Sequence, residues 1–165
     1  MRQQRASLRS FLMIWSGQFV SLIGSGLTTF ALGVWLFQRT GSVTQFALNG
    51  ALGALPLIVL APLAGAVADR YDRRWVMLLA DSGSALVTLA LACLLRAGRL
   101  AVGHVYLATV LLTVCDCFHS PAYSAAIPRL VPAHQLGRAN GLISLGRSTT
   151  SIVAPAIAGV LVMTI

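Results

Sequence analysis

Gly65-Ala-Val-Ala-Asp-Arg-Tyr-Asp-Arg-Arg74 joins two long apolar runs through a charged turn. Three arginines and two aspartates fall within residues 69–74, in a chain whose charged fraction is 10% and whose hydrophobic fraction is 57%. If the flanking runs are helices, Asp69 closes one at its negative end and Arg73 and Arg74 open the next at its positive end. The macrodipole disfavours both placements. Local violations of this kind are expected where a function or a distant partner compensates. Asp69 is therefore expected to meet the N-terminus of another helix or an arginine. Asp72 is expected to N-cap the second helix, and Gly65, one turn above Asp69, to admit a neighbouring helix. The plainer alternative is a solvated turn whose arginines touch lipid phosphate.

The rest of the chain reads as membrane spans aimed by this turn. Its 57% hydrophobic content, with a mean hydropathy of +0.82, belongs to the bilayer class. Five apolar runs, about 11–37, 46–68, 75–95, 101–126 and 141–165, each reach the roughly 20 residues that a spanning helix needs. Thr40-Gly-Ser, Arg96-Ala-Gly-Arg and the segment 128–132 are the expected breaks. The net charge of +8 comes entirely from arginine. Arg2, Arg5, Arg9, Arg70, Arg73, Arg74, Arg129, Arg138 and Arg147 fall on one side of the alternating spans, and Arg39, Arg96 and Arg99 on the other. The positive-inside bias then places the N-terminus and the Gly65 turn in the cytoplasm, and charge so placed does not point to nucleic acid. The first run is too long for the h-region of a signal peptide, so it is read as an uncleaved anchor. Cys93, Cys115 and Cys117 lie in apolar runs and read as small buried residues, with no disulfide, metal or cofactor expected.

Polar residues inside the spans are the site candidates. Gly17, Ser21, Ser25 and Thr29 recur at steps of four in the first run, beside Gln18, and suit either close helix packing or a cavity wall. Asn49, Gly53, Ala61 and Gly65 repeat the pattern in the second run, which Pro56 and Pro62 interrupt. Asp81 shares a face with Ser84, Ala85 and Thr88, about 9 Å from the cytoplasmic end of its span. Asp116 lies in a stripe of helical period with Thr109, Thr113, Ser120 and Ser124. It is roughly 16 Å deep in an approximately 30 Å core. An acid at that depth is costly and is a functional candidate by default, so Asp116, with Asp81 second, is the expected carrier of a coupling proton. Thr113 and Ser120 are the expected hydrogen-bond partners of Asp116. His119, one turn away, reads as a satisfied buried histidine or a proton relay.

The pattern Gly65-x-x-x-Asp69-Arg70-x-x-Arg73-Arg74 after a second apolar span resembles the hairpin signature of the major facilitator superfamily. Ser120-Pro-Ala-Tyr-Ser-Ala-Ala-Ile-Pro-Arg-Leu-Val-Pro132 and Leu136-Gly-Arg-Ala-Asn-Gly-Leu142 are similar to its bacterial drug and siderophore exporter branch, the enterobactin- or macrolide-exporter kind. The resemblance covers essentially the whole chain. It implies an all-α membrane protein, five transmembrane helices forming a partial N-terminal six-helix bundle of a twelve-helix fold. Ser25 and Arg129 depart from the branch, standing where acids are usual, and the second departure leaves Arg73 to Asp69, Asp81 or lipid. In the fifth run Thr150, Ala154 and Ala158 stand where a glycine-rich antiporter signature has glycines, and Pro155 and Gly159 match it.

The activity implied is secondary, proton-coupled export of a small amphipathic drug or siderophore by alternating access, without enzyme chemistry. The implied location is the cell inner membrane, and the implied partners are substrate, protons, the lipid bilayer and the C-terminal half of the transporter. A membrane scaffold or assembly subunit and a passive channel are the rival classes. A scaffold gives no reason for Asp116, and moving, closely packed helices argue against a channel. Because the chain stops inside the apolar segment 160–165, it is expected to be a fragment that does not transport alone.

Overall fold

A computed structural model describes residues 8–164, with side chains over 11–128 and 130–160. Arg2 and Arg5 lie outside the described residues, as do the side chains of Arg9, of Arg129 and of the apolar end of the last run. Five long helices make up nearly all of the rest: α1 (Leu8–Thr40), α2 (Val43–Arg70), α3 (Arg73–Arg96), α4 (Val102–Leu130) and α5 (Leu136–Thr164). A 3₁₀ turn, Ala133–Gln135, precedes α5, and no strand occurs among the described residues.

The helix boundaries follow from local chemistry. Gly41 ends α1 with φ +64, a left-handed conformation that glycine adopts without strain, and donates to the Phe37 carbonyl at 2.8 Å. Ser42 then N-caps α2, its hydroxyl accepting from the Gln45 N–H at 3.3 Å. Asp72 caps α3 as expected, with Oδ1 accepting from the Arg74 N–H at 3.0 Å. At the other end of α3, Gly98 (φ +65) donates to the Leu95 carbonyl and Arg99 to that of Leu94, the paired bonds of a Schellman motif. His104 was given no role from sequence, yet its Nδ1 accepts from the Ala101 N–H at the start of α4. The break expected over 128–132 falls at its end. α4 runs through Pro121 and Pro128 to Leu130, and Val131-Pro132 separates it from the 3₁₀ turn.

The chain divides into two compact units. One contains α1 up to Ala31, the end of α4 from Ala125, and α5. There Gly26 faces α5, and Gly146 lies against Phe19 and Trp15, whose rings stack with centroids 5.3 Å apart. The other contains residues 32–124. Its core cluster joins Leu32, Leu91, Val105 and Ala108, with Trp35, Val87 and Leu100 packed around it.

Among the described residues, four helices are long and apolar enough to cross a membrane: α1 from Phe11, α2, α3, and α4 as far as Pro128. Between 11% and 17% of each span's most apolar window is buried within the chain, so most of that surface needs lipid or further helices. Leu57, Ile58, Leu79 and Leu86 are among the large side chains so exposed. The fifth expected span is helical, but α5 is not among the four. Its first half carries Arg138, Asn140, Arg147, Ser148 and Thr149, and the side chains of its most apolar end lie outside the described residues.

Candidate functional site

The hinge between α2 and α3 takes two residues, Tyr71 and Asp72, because Tyr71 donates to the Val67 carbonyl and Asp72 caps the next helix. Asp69, Arg70 and Arg74 are exposed and Arg73 is half-buried. A Cβ placed on Gly65 would meet nothing within 4 Å among the described residues, so none of them uses the approach that Gly65 leaves open. The acid–base contact of this region joins Asp81 to His119, and Arg73 pairs with neither Asp69 nor Asp81.

Beside the hinge lies an apolar hollow of about 430 Å³. Tyr71 and Trp75 at the turn, Leu79 and Ala80 of α3, and Cys115 and Phe118 of α4 are among the residues lining it. Just past it, His119 Nε2 lies 3.5 Å from Asp81 Oδ1. That is within reach of a charge pair but does not form a hydrogen bond, and Nε2 is buried with no other partner. The imidazole also stacks on Tyr123, ring centroids 6.0 Å apart.

The polar stripe of α4 divides between two directions. Asn49 of α2 is buried, and its Oδ1 accepts from Thr109 Oγ1 at 2.8 Å. One turn along, a Cβ on Gly53 would lie 3.3 Å from Thr109 Cγ2 and 3.7 Å from Thr113 Oγ1. Nearer the other end, the Tyr106 hydroxyl donates to the Gln45 carbonyl at 3.4 Å. Thr113 donates to the Thr109 carbonyl at 2.9 Å, so its hydroxyl serves its own helix and not Asp116. Asp116 is exposed, while Ser120 is half-buried.

On α1, Gly17, Ser21, Ser25 and Thr29 are exposed and Gln18 is half-buried. Gly17 has open space where a side chain would be. Gly26 does meet a neighbour: its Cβ position is 2.8 Å from Ala154 Cβ and 3.1 Å from Thr150 Cγ2. Thr150, Ala154 and Ala158 are all buried, Pro155 and Gly159 are half-buried, and a Cβ on Gly159 would meet nothing within 4 Å. The spacing of Phe11, Trp15, Phe19, Leu22 and Gly26 could have found this face, since aromatic, leucine and glycine follow one another along it at helical period.

The hinge signature sits where two spans turn, and the sequence profile of the transmembrane secretion effectors, a major facilitator family, matches residues 5–165. The chain belongs to that family. It is 35% identical over 156 residues to macrolide efflux protein A of Streptococcus pyogenes, covering 92% of this chain and 37% of that protein. Against the enterobactin exporter EntS of Citrobacter koseri identity is 31% over 161 residues, covering 94% and 37%. An uncharacterised transporter of the superfamily, YfiS of Bacillus subtilis, is 30% identical over 158 residues, covering 93% and 36%. The chain thus spans little more than a third of the length of these relatives. No solved structure matches it.

Proposed function

We propose that this chain forms the N-terminal bundle of a proton-coupled exporter that expels small amphipathic compounds, of the drug or siderophore kind, by alternating access. The observation that carries the reading is the exposed, unpartnered hinge of a family member. Asp69 stands at a helix end that disfavours it, and Gly65 offers an approach that none of the described residues takes. The greater length of the relatives supplies what would fill that approach: a helix from the C-terminal half, whose N-terminus Asp69 caps in one access state. The names of macrolide efflux protein A and enterobactin exporter EntS support the direction and the substrate class. In this reading α5 is the fifth span, the N-terminus and hinge are cytoplasmic, and the protein sits in the inner membrane. The open face at Gly17, Ser21 and Ser25 lines part of the substrate path. Asp116 and Asp81 are the groups that take up and release protons, and differential protonation shifts the access equilibrium.

The test is efflux of a fluorescent amphipathic substrate from vesicles carrying the full-length protein, with and without a proton gradient. Asp116→Asn keeps size and removes titration, so it should abolish gradient-driven efflux and leave substrate binding and downhill exchange. Efflux by Asp116→Asn at the wild-type rate, with the same dependence on the proton gradient, would remove Asp116 from the coupling scheme.

A further inference from the structure

Coupling through Asp116 and Asp81 leaves His119 unused, yet His119 is the group that Asp81 faces. The two side chains differ in access: His119 is 16% exposed and Asp81 45%. Their helices are held close beside them. Gly83, two residues beyond Asp81, leaves room for Cys115, one turn before His119, and a Cβ there would lie 2.9 Å from the sulfur. A buried ring nitrogen without a hydrogen bond is costly in an apolar span, and so is an isolated carboxylate. A proton on the imidazole relieves both, because the two charges then neutralise each other across the 3.5 Å contact.

We infer that His119 is the proton-accepting and positioning partner of Asp81, clasping α3 to α4 when the pair holds one proton and loosening them when it holds none. This rests on the proton-coupled reading above and adds a second residue to it. A proton reaches the more exposed carboxylate from water and passes to Nε2, leaving carboxylate and imidazolium; the reverse step returns it, and no other bond changes. Around the pair, Cys115, Asp116 and Cys117 are the other titratable groups of α4, Tyr123 stacks on the ring, and Tyr71 at the turn reaches the adjoining hollow. Arg73 does not pair with Asp81, so the histidine, when it carries the proton, is the cation that faces it.

The experiment uses the full-length transporter in liposomes with ¹⁵N-labelled histidine. The His119 signal is assigned by its loss in His119→Gln. In Asp81→Asn, read at one fixed pH, the Nε2 signal of His119 should move, because the carboxylate that faces it is gone. An unmoved Nε2 signal overturns the pair. This readout does not depend on transport, so it decides the inference even if efflux proves indifferent to the gradient. In efflux, His119→Gln and Asp81→Asn should each lose gradient-driven flux several-fold, and the double variant should lose no more than the worse single. Losses that multiply in the double variant show two independent groups and overturn the shared role. Substrate binding within a few-fold of wild type in each variant shows that the protein is folded, and the exchange variant Asp81→His/His119→Asp should restore pH-dependent flux.

Discussion

The contact of α1 with α5 and the contact of α2 with α4 both bring small residues of two long helices together, but they close by different means. At Gly26 the fit is steric: the helices leave less room than a methyl group needs, and the buried Thr150 hydroxyl beside it has no hydrogen-bond partner. At Asn49 the contact is polar, made by a side-chain hydrogen bond, with slack at Gly53. The first depends on shape and tolerates no growth. The second depends on a directional bond, and it lies on α4, the helix that also carries His119 and Asp116. Packing alone closes one contact, and a hydrogen bond the other.

Substitutions can break that contrast. Gly26→Ala should have the largest effect, destabilising the full-length protein by about 1–3 kcal/mol in reversible unfolding from detergent, because Ala154 Cβ cannot give without moving its backbone. Thr150→Val keeps the shape and removes the unpartnered hydroxyl, so it should stabilise by up to about 1 kcal/mol in the same measurement. A loss on Thr150→Val would mean that the contact is bonded after all. Asn49→Ala should cost about 0.6 kcal/mol, the usual size of one interhelical hydrogen bond in a membrane. Gly53→Ala should be the mildest, within about 0.5 kcal/mol, since Thr109 Cγ2 at 3.3 Å has only tenths of an ångström to yield. Equal losses for Gly26→Ala and Gly53→Ala would erase the distinction between the two contacts.

Much of the fold was legible because its signals are local. Apolar runs, the glycines at 41 and 98 and the cap at Asp72 each act within a few residues, and the helices begin and end near them. The break expected over 128–132 falls at its Pro132 end, because α4 admits Pro128 with the loss of one backbone hydrogen bond and stops at Leu130. The site was less legible because its contacts are long-range. Small residues at 17, 21 and 25 are as regular as those at a packed face, yet the face that packs is the one bearing Gly26, and only the position of α5 decides between them. Likewise nothing near His119 in the chain names Asp81, which lies 38 positions earlier (119 minus 81) on another helix. Departures from the family pattern at Thr150 and Ala154 gain meaning from the same geometry: the glycine of that contact is on α1.

The two ends of α3 have a bearing on how the protein is made. Asp72 caps one end with its own carboxylate, and Gly98 and Arg99 close the other on carbonyls of the last turn, so every one of these bonds lies within five residues. A segment entering lipid must satisfy its backbone internally. α3 does so without help from α2 or α4, and can become helical as it leaves the ribosome and moves sideways into the bilayer. α4 enters next, and its contact at Gly83 and Cys115 forms against a helix already in place. Synthesis therefore lays down α3 with Asp81 first and adds His119 and Asp116 with α4 afterwards. A nascent chain arrested just beyond Arg99 should already protect the α3 backbone from hydrogen exchange.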